Sequence, residues 1–434
     1  MISKHLLNLN IFFKLRILLK NYPFDENKIK VTQFEKLKKL LVFSYSNFDY
    51  YKEKFNKVGF NPVNFKHISE IQKIPVMSKE GYKTFVEHEI KKHPYRYKNY
   101  YIDSTSGSTG EPLEIYRTWD ERAYMLAKYL RALFLNGYKL RDMTFGLPSP
   151  HRITGSDSII QKFGFLRRQS VTYTEPVEKM VNGFIWSKAD LLYANKSQLI
   201  QMAHYIRENH IKINKPRLIN SSGEILDPHS KEIIESVFGR DRLFEVYGAV
   251  EFNNLAFQLT NENFFFFNHD TNLIELEDND GNINSEQGKC IITDFNIFSF
   301  PLIRYKLNDR IEMEDHNGLG VITKITGRDD DWVKLPDGTN IPFHPFYEVM
   351  EKRSMVKQFK FVQEEIDLIE VFVVLENGVD RNIFKKDLIK ELISEISDSL
   401  RYEVIFTDSI PADPGGKIRI LISKIKKVNQ ETEQ

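Results

Sequence analysis

Small hydroxyl residues and glycines run in succession through Ser104-Thr105-Ser106-Gly107-Ser108-Thr109-Gly110-Glu111-Pro112. Such a run lets backbone approach a ligand closely and offers N–H and O–H donors, as a polyphosphate requires. No lysine follows Gly110, so this is not a GxxxxGK[ST] loop. Five further segments carry residue types suited to a nucleotide. Tyr247-Gly248-Ala249-Val250-Glu251 offers a ring to stack on a base and a carboxylate able to hold Mg²⁺. Ser221-Ser222-Gly223-Glu224 follows a strand-like run. Arg304-Tyr305-Lys306-Leu307-Asn308-Asp309 ends in an acid able to take two ribose hydroxyls. Gly327-Arg328-Asp329-Asp330-Asp331 and Gly415-Gly416-Lys417-Ile418-Arg419 complete the set. Taken singly, each is weak: a Gly-Arg-Asp-Asp run is commonly a solvated turn, and a Ser/Gly run a linker.

The elements that must position these residues are readable as patterns. Residues 33–58 have apolar side chains at three- and four-residue steps and predict helix. Residues 58–82 predict short helices joined by turns, with Ser78 opening a Tyr-containing helix. Asp120–Asn136 and Lys188–Asn209 predict helices. Leu191–Tyr193, Arg217–Asn220, Leu243–Val246 and Lys289–Thr293 read as short strands. Near residue 260 the composition turns to strands separated by Asp/Asn/Gly turns, with a hairpin turn at Asn279–Asn282. From Val321 onward the order is strand, loop, helix, two strands (the second Leu368–Leu375), helix (Ile383–Leu400) and strand (Tyr402–Phe406). The fold class expected is α/β: a large layered N-terminal domain with a β-rich subdomain, plus a small mobile α+β C-terminal domain. The boundaries expected are 1–327 and 328–434, with residues 1–100 helical and about 260–320 β-rich.

Composition narrows the class. The chain has 434 residues, 41% hydrophobic and 28% charged, enough to bury a core without staples. Lys+Arg 61 against Asp+Glu 60 gives +1, which argues against a nucleic-acid partner engaged by bulk charge. The single cysteine, Cys290, excludes an intrachain disulfide, a CxxC pair and a multi-cysteine zinc site, and fits a cytoplasmic location. No apolar run is long enough to span a membrane. Residues 1–22 read as an amphipathic helix with Lys14, Arg16 and Lys20 on its polar side. It packs on the body, with a weak membrane-surface contact as the alternative.

The order and spacing of these segments resemble the adenylate-forming superfamily of acyl-CoA synthetases, peptide-synthetase adenylation domains and luciferase. Phe48-Asp49-Tyr50-Tyr51-Lys52-Glu53-Lys54-Phe55 and Ile74-Pro75-Val76-Met77-Ser78-Lys79-Glu80 are similar to the phenylacetate–coenzyme A ligase group, which includes proteins assigned to capsular polysaccharide biosynthesis. The resemblance runs from about residue 40 to 425. It implies ATP-dependent adenylation of a small-molecule carboxylic acid, pyrophosphate release, and transfer to a thiol such as coenzyme A. Transfer to an amine or hydroxyl of a sugar or carrier is the alternative, and a non-catalytic nucleotide-binding protein a third.

The resemblance also implies roles. Ser106, Gly107, Ser108, Thr109 and Gly110 would contact the β- and γ-phosphates. Glu224 and Tyr247, with Gly248, would frame adenine. Glu251 would hold Mg²⁺ and Asp309 the ribose. Arg328 would lie at the ribose or hinge, Asp330 at the hinge, and Lys417 would reach the carboxylate and α-phosphate. Lys417, Glu251 and Thr109 form the catalytic set. His151 and Arg152 are candidates for the acid's pocket. Leu113 stands where relatives often have lysine. The stretch after Glu251 lacks cysteine and leaves only His269, a hydrogen-bonding residue on this reading, so no zinc is expected. A monomer or homodimer is expected.

Overall fold

A computed structural model describes residues 7–104, 113–150, 159–283, 285–328, 332–353, 355–411, 413 and 418–425. In chain order, helices α1 (Leu7–Lys20), α2 (Glu26–Asn47), α3 (Asp49–Lys57) and α4 (Lys79–Lys92) come first. The hairpin β1 (Tyr101–Ser104) and β2 (Glu114–Arg117) and helix α5 (Trp119–Leu135) follow. Next are β3 (Met143–Gly146), α6 (Ile159–Lys162), β4 (Arg167–Ser170), α7 (Val177–Ser187), β5 (Leu191–Ala194), α8 (Lys196–Glu208), β6 (Leu218–Ser222) and α9 (Pro228–Phe238). Strands β7 (Leu243–Ala249), β8 (Asn253–Gln258), β9 (Phe265–Phe267), β10 (Asn272–Glu277), β11 (Gln287–Asp294), β12 (Tyr305–His316) and β13 (Leu319–Arg328) make the β-rich stretch. The chain ends in β14 (Trp332–Lys334), β15 (Asn340–Pro342), α10 (His344–Glu351), β16 (Val356–Glu365), β17 (Leu368–Leu375), α11 (Arg381–Glu395), β18 (Arg401–Phe406) and β19 (Leu421–Ser423). The protein is mixed α/β.

Two compact units arise: residues 1–140 with 244–325, and 141–243 with 326–434. In the first, strands lie in the order β10-β11-β12-β13-β9-β8-β7. The pairs β10–β11, β11–β12, β13–β9, β9–β8 and β8–β7 are antiparallel. Its core is aromatic: Phe48, Tyr51, Phe85 and Phe300 interlock edge to face, and Phe55 packs at a tilt on Tyr51. The predicted helix over 33–58 is divided at Phe48, whose extended backbone ends α2 and opens α3. Phe48 is 2% exposed, so core packing sets the break. Ser78 caps α4 by accepting from the Gly81 N–H at 3.0 Å. Lys14 departs from expectation: it turns to Asp120 at 2.9 Å, away from the exposed Arg16 and Lys20.

The second unit has a parallel sheet in the order β6-β5-β3-β4. Helices α7, α8 and α9 cover it through Met180, Phe184, Leu199, Met202, Ile234 and Phe238. A Cβ on Gly183 would lie 2.8 Å from Val171, so only glycine lets α7 approach so closely. The C-terminal part pairs β18-β17-β16-β19 and packs α10 and α11 on it through Phe346, Val349, Leu388 and Leu392. The last helix stops at Glu395, short of the predicted Leu400.

Candidate active site

Three described segments of the first unit converge around Arg117. The hairpin β1–β2 pairs Ser104 with Glu114 and Tyr101 with Arg117, so the strands before and after the hydroxyl/glycine run in sequence are held side by side. Arg117, fully buried, donates to Asp103 Oδ2 at 2.7 Å. Its second nitrogen donates to the carbonyls of Val250 at 2.6 Å and Glu251 at 2.7 Å. The β1–β2 hairpin is thereby tied to the backbone carrying Glu251. Residues 105–112 themselves, including Ser106, Gly107, Ser108, Thr109 and Gly110, lie outside the described residues.

Glu251 is 9% exposed. Tyr305 donates its hydroxyl to Glu251 Oε1 at 3.1 Å and is itself wedged edge-on by Tyr82 and Phe252. Burial, then the Glu251 charge, pushes the Tyr305 phenol up, so it stays a donor. Arg117 meets the Glu251 backbone and leaves the carboxylate to Tyr305. A buried carboxylate held by a neutral donor suits a hard cation that also takes phosphate oxygens.

Tyr247 stands at the end of β7, before a bulge at Gly248. A Cβ on Gly248 would lie 1.7 Å from the Asn253 carbonyl, so this turn requires glycine. The buried Tyr247 phenol donates to Asp309 Oδ2 at 2.8 Å and lies 3.9 Å from Cys290 Sγ. Burial, then Asp309, raises both the phenol and the Cys290 thiol, leaving each protonated. Asp309 is half-buried on β12, with one oxygen oriented by Tyr247.

The beginning of β12 also explains the Ile74–Glu80 segment. Met77 N–H donates to the Arg304 carbonyl at 2.8 Å and Lys306 N–H to the Met77 carbonyl at 2.9 Å. Arg304, at φ 52°, donates to Glu275, to the Gln72 and Ile74 carbonyls, and is buried. Two sequence segments far apart thus form one support behind Tyr305.

In the second unit, Glu224 accepts from Ser197 N at 2.7 Å, Ser197 Oγ at 2.9 Å and Ile418 N at 2.9 Å. Ile418, the residue after Lys417 in sequence, is thereby tied to Glu224. Tyr173 donates to the Asp413 carbonyl at 3.2 Å. Lys417, Asp330, His151 and Arg152 lie outside the described residues, as does the Arg328 side chain. His269 is buried against Phe24 and Phe267, with Nε2 2.7 Å from the Gly320 carbonyl. Sequence reading passed over Arg117, Lys128 and Arg131. The last two are buried cations of α5, held by Asp294 and Asp270. A basic residue three positions from another on an apolar helix face was the available signal.

His204, Glu208 and Glu376 also lie close enough to share an ion. Arg207 and Lys357 already neutralise Glu376, and Lys357 bonds Glu208, so the cluster is an ion-pair network.

The fold is that of the adenylate-forming ligases. It matches 2-hydroxyisobutyryl-CoA ligase, solved in a postadenylation state with 2-HIB-AMP, at TM-score 0.74 and 17% identity, covering 92% of this chain and 90% of that one. It also matches the amide bond synthetase McbA from Marinactinospora thermotolerans at TM-score 0.52 and 16% identity, covering 73% and 66%. Residues 335–424 match the CapK C-terminal domain. Over 409 residues the chain is 25% identical to Protein CapK from Staphylococcus aureus, covering 88% of this chain and 86% of that protein.

Proposed function

We propose that this protein uses ATP to activate a carboxylic acid as an acyl-adenylate, releases pyrophosphate, and transfers the acyl group to a thiol such as coenzyme A. The observation that carries the reading is Arg117 joining Asp103, on the strand before the Ser106–Gly110 run in sequence, to the backbone of Glu251. On this reading Ser106–Gly110 hold the β- and γ-phosphates, Asp309 takes the ribose hydroxyls, and Tyr247, Gly248 and Glu224 border the adenine. Glu251 holds Mg²⁺, which when bound supplies charge neutralisation to the phosphates. A substrate carboxylate oxygen attacks the α-phosphorus, and the bond to pyrophosphate breaks. Lys417 and the loop donors offset the charge that builds on the phosphate oxygens. The C-terminal domain, from Arg328 and a hinge at Asp330, carries Lys417 in and out between the two steps. His151 and Arg152 border the acid.

The architecture shared with an amide bond synthetase supports a second reading, in which the same adenylate passes to an amine or hydroxyl of a sugar or carrier. Hydroxylamine-trapped adenylation over aryl acids, short fatty acids and amino acids tests the first step. At least one acid should give ATP-dependent pyrophosphate release, and Lys417→Ala should abolish it. Exchange that survives Lys417→Ala across the panel overturns the mechanism. AMP formation stimulated by coenzyme A selects the thiol reading; its absence with an active acid selects the second.

A further inference from the structure

Helix α1 buries one face and displays another of similar apolarity. Ile11, Leu15 and Leu18 are buried against Ala123 and Ala127 of α5. On the other side Leu9, Phe13 and Ile17 follow at four-residue steps and are 71%, 66% and 46% exposed. Arg16 and Lys20 are exposed too. At 3.6 residues per turn these five fall within an arc of roughly 100°. Beside them is a groove of about 350 Å³ lined by Phe12, Leu19, Phe134 and Leu140 together with Arg16 and Lys20.

The charge on this face has one sign. Residues 7–20 contain no carboxylate, and the first acidic residue of the chain is Asp25. Asp120 binds Lys14, which points elsewhere. Among the described residues, Arg16 and Lys20 pair with no carboxylate. Apolar side chains with flanking cations and no acid fit the boundary between the headgroups and acyl chains of an anionic bilayer. There the cations reach phosphate while the apolar side chains enter the acyl region. A second copy of the chain fits worse, because this same face on it offers no carboxylate to answer Arg16 and Lys20, whereas lipid phosphates do.

We propose that the outer face of α1 docks the protein peripherally on anionic lipid, with Leu9, Phe13 and Ile17 inserted and Arg16 and Lys20 at the phosphates. The helix lies on the membrane and does not cross it. The full chain should co-float with phosphatidylglycerol/phosphatidylcholine vesicles and not with phosphatidylcholine alone, and added salt should release it. The double variants F13S/I17S and R16E/K20E change only exposed side chains, so their thermal midpoints should match the parent. Each should lower the partition coefficient on the order of tenfold or more. Failure of the parent chain to bind anionic vesicles overturns the proposal, as does binding unchanged in both variants. So does a dimer in light scattering that F13S/I17S converts to monomer, because the face is then covered by a second copy.

Discussion

Arg117 does a job that lysine cannot. Its planar fork reaches Asp103 on one side and two carbonyls on the other, and a single ammonium covers only part of that set. Arg117→Lys should therefore slow pyrophosphate exchange by roughly tenfold or more, with an unfolding cost of about 1–3 kcal/mol for the carbonyls left unbonded. Equal exchange rates in the two proteins would separate the hairpin from the chemistry. Glu251→Gln keeps an oxygen for the Tyr305 hydroxyl and removes the charge. Its thermal midpoint should stay close to that of the parent while exchange falls by roughly 10²–10³. A matching loss of midpoint would make Glu251 a structural residue.

At the scale of elements, Asp227 joins three helices. It caps α9 through the Ser230 N–H at 2.7 Å, pairs with Lys196 of α8 at 3.2 Å, and accepts the Tyr347 hydroxyl of α10. Burial pushes its carboxyl up, but Lys196, Ser230 and Tyr347 outweigh it and hold the group down at about 2. Asp227→Asn leaves Lys196 buried without its counter-charge and should cost about 3–5 kcal/mol, read from chemical denaturation of this unit. The contact of α8 with Glu376, the residue after β17, adds a second pH response. His204 lies 3.1 Å from Glu376, among Arg207, Lys357 and Glu208. Burial lowers its pKa below 6.5, opposed by Glu376 and reinforced by Arg207 and Lys357. The unfolded chain then takes up a proton that the folded one refuses, so stability should fall as pH drops below 6.5. His204→Gln should flatten thermal midpoints across that interval; an unchanged slope would assign the response elsewhere.

Across the whole molecule, acid should act through a few buried carboxylates. Asp227 and Asp270 are both held low against the effect of burial, the latter by the charge and hydrogen bonds of Arg131. Their contribution is complete above pH ~4, the unfolded carboxylate range, and is lost as pH falls from there through their lowered folded values, about 2 for Asp227. A circular-dichroism titration flat through that interval would contradict this. The same pairs explain what the sequence concealed. Tyr247 and Asp309 stood out in the sequence as members of separate short motifs, but their hydrogen bond to each other, across 62 residues, did not. Lys128 and Arg131 did not stand out, because helical periodicity places cations outside, and their partners lie 166 and 139 residues away. Nor does a local pattern reveal Phe48 dividing two helices, since the core that captures it is assembled from residues up to Phe300. The resemblance to adenylate-forming enzymes led to the ligase architecture, whereas the support behind it, Arg117 and Arg304, is visible only in three dimensions.

The solitary thiol offers a built-in stopwatch. Cys290 is sealed on β11 beside the Tyr247–Asp309 pair, with burial and Asp309 both opposing the thiolate that alkylating reagents need. Alkylation therefore times the moments when that strand breathes, with no competing sulfhydryl and no engineered background. A nucleotide that settles on Asp309 should lengthen those intervals, so occupancy can be followed in the unmodified chain before any acid substrate is known.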